Sequence, residues 1–76
     1  MTRTLTATIR REDDGYVALC SELDIASQGE SIQEARANLK EAVELFLETA
    51  HPNEISQRLN TEIYITTLEV NVGQAA

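Results

Sequence analysis

The stretch Ser31 to Ala50 constrains the fold of this chain more than any other, because apolar side chains recur at Ile32, Ala35, Leu39, Ala42, Val43, Phe46 and Ala50. At about 100° per residue these positions form one stripe of a helix, while Gln33, Glu34, Ala37, Glu41, Glu44 and Glu48 point away from it. Ser31-Ile32-Gln33-Glu34 has the spacing of a capping box, in which the Ser31 hydroxyl accepts the Glu34 N–H and the Glu34 carboxylate reaches back. His51-Pro52 sets the end, since proline cannot donate to the helix and disfavours helical geometry at the preceding residue. A helix with a single apolar face needs a sheet beneath it.

The flanking segments supply that sheet. From Thr2 to Arg11 the chain alternates, with Leu5, Ala7 and Ile9 on one face and Thr4, Thr6, Thr8 and Arg10 on the other, which predicts a half-buried strand. Glu12-Asp13-Asp14-Gly15 is a turn, and Tyr16 to Cys20 resumes an extended run to complete a hairpin. Ser21 to Asp24 reverses the chain again into a short third strand, Ile25 to Gln28, ending at Gly29. After Pro52, residues Asn53 to Asn60 form a short helix or loop, and Glu62 to Val70 has the composition of a fourth strand. The expected architecture is α+β in the order β-β-β-α-β. An antiparallel meander of three strands is joined, through a right-handed crossover, by a fourth strand parallel to the first, giving spatial order 3-2-1-4 with the helix on one face. Residues 1–72 make one domain, with 73–76 a frayed tail.

With 76 residues, such a domain buries only about 60% of its unfolded surface on folding, so association with another chain is a natural supplement. One helix cannot cover Tyr16, Ala18, Cys20 and Tyr64 together with all of Ile63, Ile65, Leu68 and Val70. The fourth strand would also leave an edge with charges only at its ends. We therefore expect a homodimer, or a dimer of dimers, joined through Ile63, Tyr64, Ile65, Leu68 and Val70. Thirteen acidic against six basic side chains give a net charge of −7, which disfavours direct nucleic-acid binding by this chain and suits a basic protein partner. The single Cys20 cannot form an internal disulfide, and neither a signal peptide nor a membrane span is visible, so a cytoplasmic protein without membrane attachment is expected.

Gly15-Tyr16-Val17-Ala18, then Ser27-Gln28-Gly29-Glu30-Ser31 and Glu34-Ala35, then Asn38-Leu39-Lys40-Glu41-Ala42 together resemble the HicB-like antitoxin family. The match runs in order over Gly15 to Leu47, nearly half the chain. The resemblance implies a partial RNase H-like fold and a partner, a HicA-type toxin, which is a small ribonuclease that cuts messenger RNA and whose active site the antitoxin blocks. It is to a short form without the appended DNA-binding domain, so operator binding by this chain alone is not expected.

An RNase H-like scaffold raises the question of hydrolysis with two metal ions, which needs carboxylates clustered on adjacent strands. Thr4 to Ile9 has none, the fourth strand offers only Glu62 and Glu69, and Asp13-Asp14 is turn chemistry. No catalytic residue, metal ligand or cofactor site is assigned, and the chain is read as a non-enzyme. His51 lacks triad partners, and Cys20 reads as a small core hydrophobe. The charge pattern of the helix is more informative. Glu41, Glu44 and Glu48 make an acidic stripe beside Leu45, the anchor-and-rim pattern of an interface for a basic partner. The leading reading is an antitoxin that neutralises a HicA-type toxin. The alternative is a standalone HicB-like binding or scaffold domain with no toxin.

Overall fold

A computed structural model describes residues 2–73. The elements are β1 (Thr8–Glu12), β2 (Gly15–Cys20), β3 (Ile25–Gly29), α1 (Ile32–Thr49) and α2 (Pro52–Leu59). The three strands form an antiparallel sheet in the order β1-β2-β3. Asp13 and Asp14 make the β1–β2 reversal, with Asp13 at φ 53°, a left-handed geometry that aspartate tolerates better than most residues. β1 is shorter than the Thr2–Arg11 alternation predicts, because β2 runs out of backbone to pair with it. Thr8 already lies opposite Leu19, and the chain turns after Cys20.

Register places Ile9, Ala18 and Ser27 in one row and Cys20 with Ile25 in another, all on the side that α1 covers. The buried core is Ala18, Cys20, Leu23, Ala35 and Leu39, with Tyr16, Val43 and Phe46 packed around it. Tyr16, Ala18 and Cys20 thus lie beneath the helix together, where the sequence suggested that some would need another surface. Packing is closest where α1 crosses β3, and Asn38 Nδ2 donates to the Gln28 carbonyl at 2.8 Å to fix that crossing. The N-cap forms as expected, with Ser31 Oγ accepting from Glu34 N–H at 3.0 Å. The return bond differs by one residue: the Glu34 carboxylate accepts from Glu30 N–H at 3.2 Å.

The segment after Pro52 is a true helix. Pro52 begins it, and His51 Nδ1 accepts from Asn53 N–H at 3.0 Å, so the histidine caps α2. Arg58 fastens α2 to the body by donating to the Leu23 carbonyl, stacking over the Phe46 ring at 4.8 Å and pairing with Glu54 at 3.0 Å.

The fourth strand expected over Glu62 to Val70, and with it the 3-2-1-4 order, does not form in the chain. Among the described residues nothing from 61 to 72 joins a ladder, and every residue from 60 to 73 is exposed. Composition favourable to a strand supplies no pairing partner, and a lone strand has no stability in water. The radius of gyration, 15.3 Å, exceeds the roughly 11 Å of a compact chain of this length. Of the tail expected over 73–76, residues 74–76 lie outside the described residues.

Glu22, in the β2–β3 reversal, holds the N-terminal segment against the sheet. Its two carboxylate oxygens accept from Thr6 N–H at 3.1 and 3.0 Å, and the Cys20 thiol donates to it at 3.6 Å. Desolvation pushes the Glu22 pKa up, but the bonds from Thr6 and neighbouring groups outweigh it and hold the pKa below the ordinary carboxylate value. The folded pKa is depressed, so Glu22 contributes stability above its unfolded pKa, and this is lost as pH falls through the folded value. Glu22→Gln is expected to lower stability at neutral pH and flatten the acid limb of the stability curve, read by urea melts from neutral to acidic pH. An unchanged acid limb would refute it.

Candidate protein-interaction surface

The stripe of α1 that faces away from the sheet carries Glu41, Glu44, Leu45 and Glu48, which the helix spacing gathers into one row. All four are exposed, Leu45 at 59%. Among the described residues the ion pairs are Arg10–Glu12 and Arg58–Glu54, so none of the three glutamates in the row is engaged in an ion pair. No basic residue occupies the last turn of α1. Glu48 in that turn opposes the helix dipole at about 0.3–1 kcal/mol, an arrangement that local stability does not account for. Thr49 Oγ donates to the Leu45 carbonyl at 2.8 Å, and Ala50 N–H bonds to the Phe46 carbonyl at 2.8 Å, so the row stands on a well-formed helix end.

Ile63, Tyr64, Ile65, Leu68 and Val70 lie far from that row in sequence and on a different kind of backbone, the extended segment after α2. Tyr64 and Leu68 are the most open, at 82% and 83%. Tyr64 Oη donates to the Glu62 carboxylate at 2.8 Å, its one polar partner among the described residues.

Carboxylates also gather at the far end of the sheet, where Glu12, Asp13, Asp14, Glu30 and Glu34 ring an open cleft of about 560 Å³. Among the described residues no group of three or more His, Cys, Asp or Glu side chains converges closely enough to hold a metal ion. Arg11 stacks over Tyr16 at 5.8 Å beside that cleft. Cys20 is buried, and its thiol is pushed above its ordinary pKa, first by desolvation and further by the Glu22 charge. It is therefore protonated and unreactive at neutral pH. No described helix is long and apolar enough to cross a membrane.

Sequence reasoning located the acidic row by its spacing. It missed Leu23 and Arg58, which join the β2–β3 reversal to α2, because neither lies in a periodic segment.

No family model and no solved structure matches the chain. Two curated relatives do. A UPF0150 protein of Synechocystis sp. is 48% identical over 50 residues, covering 63% of this chain and 69% of its own length. A UPF0150 protein of Helicobacter pylori is 33% identical over 67 residues, covering 87% of this chain and 93% of its own. With that identity extending over nearly the whole of the second relative, the chain belongs to the UPF0150 family.

Proposed function

We propose that this chain is a HicB-like antitoxin that neutralises a HicA-type messenger-RNA-cleaving toxin, a small basic protein seated on the outer row of α1. One observation carries the reading: three carboxylates without cation partners, Glu41, Glu44 and Glu48, flank an exposed leucine on a rigid helix. A lysine- or arginine-rich surface would neutralise the row and relieve the unfavourable charge at the helix end, while Leu45 would anchor the centre. The resemblance of Gly15 to Leu47 to HicB-like antitoxins supports the same partner. In this reading the chain is non-enzymatic, and it acts by covering the toxin's active site.

The test uses the product of a small basic reading frame adjacent to the gene, assayed for RNA cleavage with and without this protein. Wild-type protein is expected to abolish cleavage at stoichiometric ratio. The triple variant Glu41→Lys, Glu44→Lys, Glu48→Lys is expected to weaken binding by about a hundredfold or more, since like charges across an interface cost several kcal/mol. Because the row is exposed, the helical circular dichroism should persist. Full inhibition by the triple variant would place the contact elsewhere. Failure of wild type to bind would favour the standalone binding domain.

A further inference from the structure

Along its outer side β1 has no backbone partner among the described residues. Next to the start of β1, between the segment Thr2 to Ala7 that leads into it and the middle of α1, runs an open groove of about 390 Å³. Its apolar lining comes from Leu5, Leu39, Val43, Leu47 and Leu59. Arg3, Arg36 and Lys40 also line it, with Glu44 the one acidic side chain among them. The groove lining thus carries three cations against one carboxylate in a molecule of net charge −7, while Arg10 pairs with Glu12 and Arg11 lies over Tyr16 at the other end of the sheet.

We propose that this groove and the free edge of β1 receive residues 62–72 of a second copy as a fourth strand, in a reciprocal exchange that makes a two-fold dimer. The segment has the matching properties. On a strand, Tyr64, Leu68, Val70 and Val72 share one face, and all are exposed in the single chain. The other face begins with Ile63 and Ile65 but continues as Thr67, Glu69 and Asn71, so the first face enters the groove and the second stays at the surface. The segment's charges are Glu62 and Glu69, both acidic, against a groove whose lining holds Arg3, Arg36 and Lys40.

Its own groove does not take it. α2 is tied down by Arg58, Leu59 lines the end of the groove, and Arg3 Nη2 donates to the Leu59 carbonyl at 3.5 Å, after which every residue to 73 is exposed. Each copy thus has an unpaired strand and an open strand position, and a two-fold axis satisfies both at once. The 3-2-1-4 order read from the sequence is then completed between chains. The proposal does not rest on the toxin reading: the two surfaces share only Glu44, at the rim of the groove, and the substitutions that test the dimer leave the acidic row intact.

Sedimentation equilibrium of the full chain at micromolar concentration should give twice the 8.4 kDa chain mass. A mixed sample of isotope-labelled and unlabelled protein should show inter-copy NOEs from the Leu68 and Val70 methyls to those of Leu39 and Val43. Leu68→Lys with Val70→Lys, both at exposed positions, should yield a monomer that retains its helical circular dichroism. Arg36→Glu with Lys40→Glu should weaken the dimer by about tenfold or more. A wild-type monomer, a dimer lacking those inter-copy NOEs, or a dimer unaffected by the paired lysines would each overturn the proposal.

Discussion

Leu23→Ala is expected to cost about 2–5 kcal/mol, the range for emptying a fully buried leucine site. A domain of this size has a total stability of only about 4–11 kcal/mol, so the variant will sit near the edge of folding at room temperature. Leu23 is 0% exposed although it belongs to no strand or helix. It packs with Ala18, Cys20, Ala35 and Leu39, three of which are too small to move into the space it would leave. Its carbonyl also receives the Arg58 guanidinium, so collapse of the reversal would loosen α2. The check is the urea midpoint of Leu23→Ala against Leu23→Met, a substitution close in volume that should cost less than about 1.5 kcal/mol. A loss under about 1 kcal/mol in the alanine variant would show that the reversal is not part of the core.

The sequence showed most of the first three strands and nearly all of α1, because those segments carry their own signals. Alternation marks β1, an extended run after the Glu12–Gly15 turn marks β2, and a capping serine and a proline bracket α1. Leu23 was hidden because a lone leucine in a four-residue reversal has no periodicity, and burial there follows from how the loop folds over the sheet. α2 was half visible: Pro52 could be read as a stop, but its second role as the first residue of the next helix depends on His51 turning its ring back to cap it. Residues 62–72 show the opposite failure. Their side chains favour a strand, but pairing depends on where a neighbouring backbone lies, and within one chain the segment does not lie against the free edge of β1. The acidic row of α1 was legible because helix spacing alone brings Glu41, Glu44, Leu45 and Glu48 together. The cations of the groove were not, since Arg3 is far in sequence from Arg36 and Lys40 and only the fold brings them together.

Gly29→Ala is expected to be as damaging as the loss of Leu23, by the opposite mechanism. A Cβ at Gly29 would lie 2.5 Å from the Ala35 nitrogen and 2.8 Å from the Glu34 carbonyl carbon, both backbone atoms in the first turn of α1. Side chains can rotate away from a contact of that kind, but a helical backbone cannot, so α1 would have to lift off β3. Lifting it would break the Asn38 bond to the Gln28 carbonyl and open the packing of Ala35 and Leu39. Insertions into a packed core typically cost about 1–3 kcal/mol, and a clash with backbone on both sides of a peptide bond belongs at or above the top of that range. Gly15→Ala is the natural comparison, since its Cβ would meet a single close atom, the Gly29 carbonyl oxygen, at 2.9 Å. Gly15 lies at the end of the hairpin, where a small opening of the turn relieves the contact, so its loss should be the smaller of the two. Paired thermal and urea melts should therefore rank Gly29→Ala well below Gly15→Ala in stability. Equal stabilities, or a Gly29→Ala variant as stable as wild type, would mean that α1 does not rest on β3 as closely as described.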